Sequence, residues 1–321
     1  MVVGALTVVA NADELAVLLG EPYGTLILTL SVGSIEIMTI GSVMLTGAEN
    51  PTLARDTMFS VVMIVMNGLV GLALLLGGLR YREQGYNFPG VNAYLSLIVA
   101  LGTLGMILPN YTTTTLGPTL STGQQLFLIA MCGSLYGAFL IIQTTRHRSY
   151  FAEPLPVPEP IQPLSSGGGK GRRVLRHATL MFVFLAATIM LAEKLAVTLN
   201  TGLETFGLPP ALGALLVAIL VLVPEGVGAI AAALANRVQR AMNILLGSVL
   251  ATLAMTIPAV LVIGMVAHQT VDLGLSPDNQ VMLALTLLTS MLTFGSGRTN
   301  VLQGIVHIGL FPAYLLLVFI P

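Results

Sequence analysis

Charge is what this chain has least of. Only 8% of its 321 residues are Asp, Glu, Lys or Arg, against 55% hydrophobic residues, whereas a soluble domain devotes about a quarter of its residues to charge. That balance excludes a water-soluble domain and fits a polytopic membrane protein. The net charge of -1 gives no reason to expect nucleic acid or an acidic surface partner. There is one cysteine, Cys132, in an apolar stretch. It excludes an intramolecular disulfide and reads as a small packing residue. Neither a His-Glu-x-x-His metal motif nor a Gly-x-Ser-x-Gly elbow occurs, which argues against an intramembrane hydrolase. The amino terminus lacks a basic n-region, so no cleavable signal peptide is expected and the chain inserts by its own helices.

What is present is a series of apolar runs divided by polar punctuation. About ten are long enough, or nearly so, to cross a bilayer: near 2–18, 24–46, 57–79, 91–108, 125–143, 177–199, 210–235, 241–266, 280–294 and 300–320. The first is weak, because Asp13 and Glu14 shorten it, and its apolar part begins at the first residue. Lys and Arg placement supports the layout. With the loop between the fifth and sixth spans inside, alternation puts eleven of the thirteen basic residues on the inner side. Arg55 falls outside, and Lys194 lies within a span beside Glu193. The expected fold is therefore an all-α polytopic membrane protein of about ten transmembrane helices, arranged as two inverted five-helix repeats. Residues 1–145 form the first repeat and 177–321 the second. Between them, 146–176 is a cytoplasmic Pro- and Gly-rich linker, with Glu-Pro-Leu-Pro-Val-Pro-Glu-Pro at 153–160 favouring extended backbone. An odd number of helices per half makes the inversion unavoidable.

Two acidic residues sit where a bilayer makes them most costly. Glu36 lies in the second span and Glu225 in the second span of the other half, both near the midplane. An ionisable group there costs ~3 kcal/mol or more and marks an ion or proton path. Inverted repeats with a midplane site at their interface are a transporter architecture, with the first and sixth spans as gate elements. Two facing carboxylates hold protons when uncharged and a cation when ionised, so binding of one expels the other. With carboxylate, hydroxyl, amide and backbone oxygens available and no Cys or His cluster, a hard cation such as Ca2+ or Na+ is favoured. Ser248 and Thr252, one helical turn apart, and Asn67 are the candidate side-chain oxygens. Carbonyls freed by unwinding at Pro224 and at Gly33–Ser34 complete the shell. Ser and Thr in membrane helices also bond their own backbone, and His307 reads as a satisfied core histidine rather than a relay. Asp272, Asp278 and Glu204 make the outer side mildly acidic. A passive channel could use the same carboxylates, but channels more often build a pore from several subunits.

Several stretches resemble the bacterial calcium/proton antiporters of the ChaA type, within the cation/Ca2+ exchanger superfamily. They are Leu-Gly-Glu-Pro-Tyr-Gly at 19–24, Pro-Thr-Leu-Ala-Arg-Asp-Thr at 51–57, Pro-Glu-Gly-Val-Gly-Ala at 224–229, Val-Gln-Arg-Ala-Met-Asn at 238–243, Gly-Ser-Val-Leu-Ala-Thr at 247–252 and Gly-Arg-Thr-Asn-Val-Leu-Gln-Gly at 297–304. The resemblance implies two inverted five-helix repeats, often with an extra amino-terminal helix not found in this sequence. It also implies cation coordination by the acidic residue in the second helix of each repeat, here Glu36 and Glu225. The expected activity is secondary cation/proton antiport in a bacterial inner membrane, exporting Ca2+ in exchange for H+, with no organic cofactor. The superfamily's Gly-Asn-Ala-x-Glu pattern is replaced by Val-Gly-Ser-Ile-Glu and Val-Leu-Val-Pro-Glu. Without that Asn, Na+ and K+ stay open as alternatives to Ca2+.

Overall fold

A computed structural model describes residues 2–19, 51–153, 170–205 and 210–320, together with 26, 27, 30, 33, 34, 36–38, 40, 41 and 44. Nine helices are delimited among them: α1 (Val2–Leu19), α2 (Leu53–Tyr81), α3 (Phe88–Tyr111), α4 (Thr122–Arg146), α5 (Lys170–Thr205), α6 (Pro210–Leu234), α7 (Val238–Ala267), α8 (Pro277–Thr293) and α9 (Val301–Phe319). The described residues between 26 and 44, Glu36 among them, are also helical and supply the tenth segment. Five of the described helices, α2, α3, α4, α7 and α9, are long and apolar enough to cross a membrane. The fold is that of a polytopic helical protein with two inverted five-helix repeats.

Local chemistry sets the helix ends. Asn300 opens α9 with a reciprocal cap, its carbonyl oxygen accepting from Gln303 N while Gln303 Oε1 accepts from Asn300 N. Pro277 opens α8, where its missing N–H costs nothing. At the far end, α2 and α7 both stop at a non-glycine residue forced to positive φ, Arg82 at 66° and His268 at 56°. Such backbone is uncommon outside glycine and persists only where the surroundings impose it.

The third helix of each half, α2 and α7, is the most buried of the membrane-length helices, while α4 and α9 keep most of their surface for lipid. Two small-residue contacts bring α2 against α9. A Cβ on Gly304 would lie 2.5 Å from Leu75 N, and one on Gly71 would lie 2.8 Å from Ile308 N. Close backbone approach of this kind replaces the hydrophobic driving force that lipid cannot supply. On the other side of the molecule α1 packs on α5 through Val8, Leu15, Met181 and Leu185, and Asn11 Oδ1 meets His177 Nδ1 at 2.9 Å.

Four features depart from the sequence reading. First, α5 begins at Lys170 and runs to Thr205, longer than the expected 177–199 and reaching out of the apolar layer with its exposed basic turn. Second, the expected linker is anchored at its start: Phe151 is buried in an aromatic cluster with Tyr94 and Phe139, and Asn243 Nδ2 donates to its carbonyl. Residues 154–169 of that linker, Asn50 and the side chains of Glu193, Lys194 and Glu204 lie outside the described residues. Third, a two-stranded antiparallel ribbon joins loops of opposite halves, β1 (Glu83–Gly85) to β2 (Arg298–Asn300), with Gln84 opposite Thr299. Fourth, the helices do not unwind where expected. Gly33 and Ser34 are helical, and Pro224 sits inside a continuous α6, where its missing N–H frees only the Leu220 carbonyl.

The backbone irregularity lies in the neighbouring helices instead. π turns interrupt α2 at Ile64–Leu69 and α7 at Thr252–Thr256, and two more lie away from the glutamates, in α3 at Thr103–Ile107 and at the end of α4 at Ile142–Arg146. Pro258, just past the α7 turn, cannot donate to Ala254, so the α-helical ladder is already broken there. Single π turns of this sort concentrate at functional sites.

Candidate cation site

Glu36 and Glu225 are both buried, at 8% and 1% exposure. What brings them together is one face of α7. Ser248 and Thr252 are a turn apart, ~6 Å along the axis. Ser248 Oγ donates to Glu225 Oε1 at 3.1 Å, and Thr252 Oγ1 donates to Glu36 Oε2 at 2.7 Å. Two hydroxyls on consecutive turns thus hold one carboxylate from each half. Thr252 also opens the π turn of α7, which sets the local direction of that face.

Each glutamate keeps a second oxygen, Glu36 Oε1 and Glu225 Oε2, buried and without a partner among the described residues. Thr256 Oγ1, a turn beyond Thr252, is in the same condition. Buried acceptors without donors are uncommon in folded proteins and cost about 1–3 kcal/mol each, more when charged.

Asn67 lies in the π turn of α2, but its amide is turned to α8. Its Nδ2 donates to Thr286 Oγ1 at 2.8 Å, and its Oδ1 has no partner among the described residues. The side chains that meet the glutamates directly are therefore Ser248 and Thr252. The turn holding Asn67 still touches the Glu225 helix, since a Cβ on Gly226 would lie 3.0 Å from Leu69 Cδ2. His307 is fully buried, with Nε2 3.0 Å from Thr293 Oγ1 but Nδ1 without a hydrogen-bond partner among the described residues, so only half of the ring is satisfied as expected of a core histidine. Asp272 is not a free surface acid: Arg55 Nη1 reaches its Oδ2 at 3.3 Å.

Residues that sequence reasoning missed sit at the two mouths. Gln84 Nε2 donates to Ala233 O at 2.9 Å and to Asn236 Oδ1 at 3.1 Å. Gln239 Oε1 accepts from Asn87 N at 2.7 Å. On the opposite face Gln269 Nε2 donates to Met44 O at 2.8 Å. Aligning the halves on Glu36 and Glu225 would have exposed the pattern, because Met44 and Ala233 each lie eight residues past their glutamate.

The sequence pattern of the family described as sodium/calcium exchanger protein matches residues 1–145 and 177–320. Among curated proteins the chain is 42% identical to "Putative ionic transporter y4hA" of Sinorhizobium fredii (strain NBRC 101917 / NGR234), across 98% of this chain and 84% of that protein. It is 40% identical to "Sodium-potassium/proton antiporter ChaA" of Escherichia coli (strain K12), across 98% of this chain and 85% of that one. Among solved structures, an "H+/Ca2+ Exchanger CAX" superposes with a TM-score of 0.72 at 18% identity, covering 98% of this chain and 79% of the other. "Native YfkE" superposes with a TM-score of 0.70 at 17% identity, covering 100% and 89%. A buried pair of glutamates, one from each half, a pattern match through both halves and relatives above 40% and at 40% identity agree: this chain belongs to the sodium/calcium exchanger family of secondary transporters.

Proposed function

We propose that the chain expels Ca2+ in exchange for protons, with Glu36 and Glu225 holding the cation and the protons in turn. The observation that carries this is the shared face of α7: Ser248 and Thr252 hold one oxygen of each carboxylate and leave the other open. Two ionised carboxylates match a divalent cation in charge, and two protonated ones need no cation. The hydroxyls of Ser248 and Thr252 can rotate to offer oxygen lone pairs when a cation arrives. Thr256 Oγ1 and Asn67 Oδ1 are buried without partners among the described residues, and with the Leu220 carbonyl they are the candidates to complete the six to eight oxygens Ca2+ takes. No cofactor is required.

The basic face, bearing Arg80, Arg82, Arg146, Arg148, Arg237, Arg240 and Arg298, is the cytoplasmic one by the positive-inside rule. On that orientation the protein sits in a bacterial inner membrane as two halves, 1–145 and 177–321, tethered by 146–176.

A second reading has Na+ or K+ as the cargo, and the printed name of the 40%-identical relative favours it. One experiment separates the two. In proteoliposomes with an imposed pH gradient, added Ca2+ collapses the gradient and accumulates uphill, and Glu225→Gln abolishes both effects. Collapse by Na+ or K+ with no response to Ca2+ selects the second reading. A response to every cation that persists in Glu225→Gln overturns the site.

A further inference from the structure

The two glutamines at the mouths are one device repeated. Gln84 follows α2 and reaches the other half, at a carbonyl eight residues beyond Glu225. Gln269 follows α7 and reaches back to the first half, at a carbonyl eight residues beyond Glu36. Each comes within two residues of the positive-φ stop of its helix, Arg82 and Arg82's counterpart His268. Each is also seventeen residues beyond the first polar residue of the adjacent π turn, Asn67 or Thr252. A glycine makes room beneath each strap. A Cβ on Gly77 would run into Gln84 Oε1, and a Cβ on Gly264 would lie 3.1 Å from Gln269 O and 2.5 Å from Val271 Cγ2. The place of each glutamine after its helix and its carbonyl partner correspond on opposite faces, while the glycine lies seven residues before Gln84 but five before Gln269, and Gln84 alone has Asn236 as a second acceptor among the described residues.

We infer that Gln84 and Gln269 are paired positioning residues for the exchange cycle, each clasping the far end of the other half's acidic helix and so holding one mouth of the site shut. Neither touches the cation. Both clasps are formed in this structure, and both glutamates are buried, at 8% and 1% exposure. Access from one side needs the acidic helix of that side to swing away from its strap. The amide N–H that it leaves then faces water, at the cost of the bond to the acidic helix, to Ala233 O for Gln84 and to Met44 O for Gln269. Strain stored at Arg82 and His268 gives each strap a second backbone conformation to relax into. Releasing one clasp while the other holds is the rocking of one half against the other that alternating access demands. The inference builds on the family's exchange activity, but its readout requires no transported ion, so its failure is distinguishable from a wrong choice of cargo.

The test uses thiol reporters in a Cys132→Ala background. Ile40→Cys and Ala229→Cys each place a thiol one turn past a glutamate, toward the clasp, at positions buried in this structure. A membrane-impermeant maleimide is applied from each face separately. Gln84→Glu keeps the side-chain shape but replaces the donor with a carboxylate facing two acceptors, Ala233 O and Asn236 Oδ1. It is expected to raise labelling at position 229 from the basic face by at least about fivefold, the population shift that follows loss of roughly one net hydrogen bond, and to lower labelling at position 40 from the opposite face. Gln269→Glu is expected to do the reverse. If a Glu variant does not reach the membrane, Gln84→Met or Gln269→Met, uncharged and of similar length, is read the same way. Opposed shifts support the inference. Shifts of both reporters in one direction, or in neither, overturn it, because a merely structural role would loosen both mouths together.

Discussion

The strap on the basic face and the strap on the opposite face do the same job with different chemistry. On the basic face the buried contacts are neutral amides and backbone, the one ion pair of the ribbon, Arg298–Glu83, being exposed: Gln84 to Ala233 and Asn236, Gln239 to Asn87, and the ribbon of β1 with β2, braced by Tyr86 against Phe294 and by the Tyr86 hydroxyl on Gly297 N. On the opposite face a guanidinium stands at the centre. Arg55 bonds Asp56 at 2.8 Å, Asp272 at 3.3 Å and the Gly274 carbonyl at 2.8 Å, while Asn110 and Met106 of α3 hold Leu275. Inverted symmetry repeats the glutamine and its carbonyl partner, but leaves the surrounding polar groups free to diverge. The lesson is that the two mouths respond to different conditions, the opposite one to salt and pH.

The largest expected difference comes from filling the glycines. Gly77→Ala drives a methyl into the Gln84 amide, the far end of a flexible side chain that can withdraw by giving up its clasp, whereas Gly264→Ala meets the stiff, β-branched Val271 at 2.5 Å and the Gln269 backbone carbonyl at 3.1 Å. Overpacking costs about 1–3 kcal/mol, and the Gly264 variant is expected at the upper end. Thermal unfolding of the two purified variants ranks them; equal losses would break the contrast between the faces.

A smaller effect comes from the cations. Arg55 is 17% exposed and Asp272 likewise, whereas the Arg298–Glu83 pair is 77% and 60% exposed. Arg55→Ala is expected to destabilise the protein by about 1–2 kcal/mol, less in high salt, and Arg298→Ala by under about 0.5 kcal/mol in any salt. A salt-dependent loss on Arg298→Ala would contradict the assignment of the ionic strap to one face.

The smallest effect concerns pH. Burial raises the Asp272 carboxyl above its ordinary value of 3.8, even though Arg55 acts to lower it. A carboxyl whose affinity for protons is higher in the closed strap than in water favours closure once protonated. Acidification from above the raised value toward 3.8 therefore tightens this mouth rather than opening it. Labelling at position 40 from the opposite face should fall over that window in the parent, and should lose that component in Asp272→Asn. A rise on acidification in the parent, absent from Asp272→Asn, would reverse the sign.

Much of the molecule was legible in its sequence because membrane constraints act locally. The apolar runs marked the spans, Glu36 and Glu225 stood out by the cost of their position, and the one-turn spacing of Ser248 and Thr252 identified hydroxyls on a common face. What escaped depends on contacts between distant segments. Nothing near Asn67 in the chain shows that its amide turns to Thr286, 219 residues away. The glutamine clasps join positions more than a hundred residues apart, in loops whose local composition is ordinary. The π turns were masked because π and α turns share the same apolar residues, although Pro258 was a usable clue. Pro224 and Gly33 misled because a proline removes one hydrogen bond without requiring the helix to open, and helical glycine is tolerated where a neighbour packs close, as Met255 does against Gly33.

The central claim is that Glu36 and Glu225 form one site, and proton release on cation binding tests it most directly. Purified protein in weakly buffered detergent solution is titrated with Ca2+, and with Na+ and K+ in parallel, while pH is recorded. If the two carboxylates act as a unit, Glu36→Gln, Glu225→Gln and the double variant all abolish cation-driven proton release alike, because losing either carboxylate removes the site. If each single variant instead retains about half of the release and only the double variant loses it, the carboxylates are independent and the shared site is refuted.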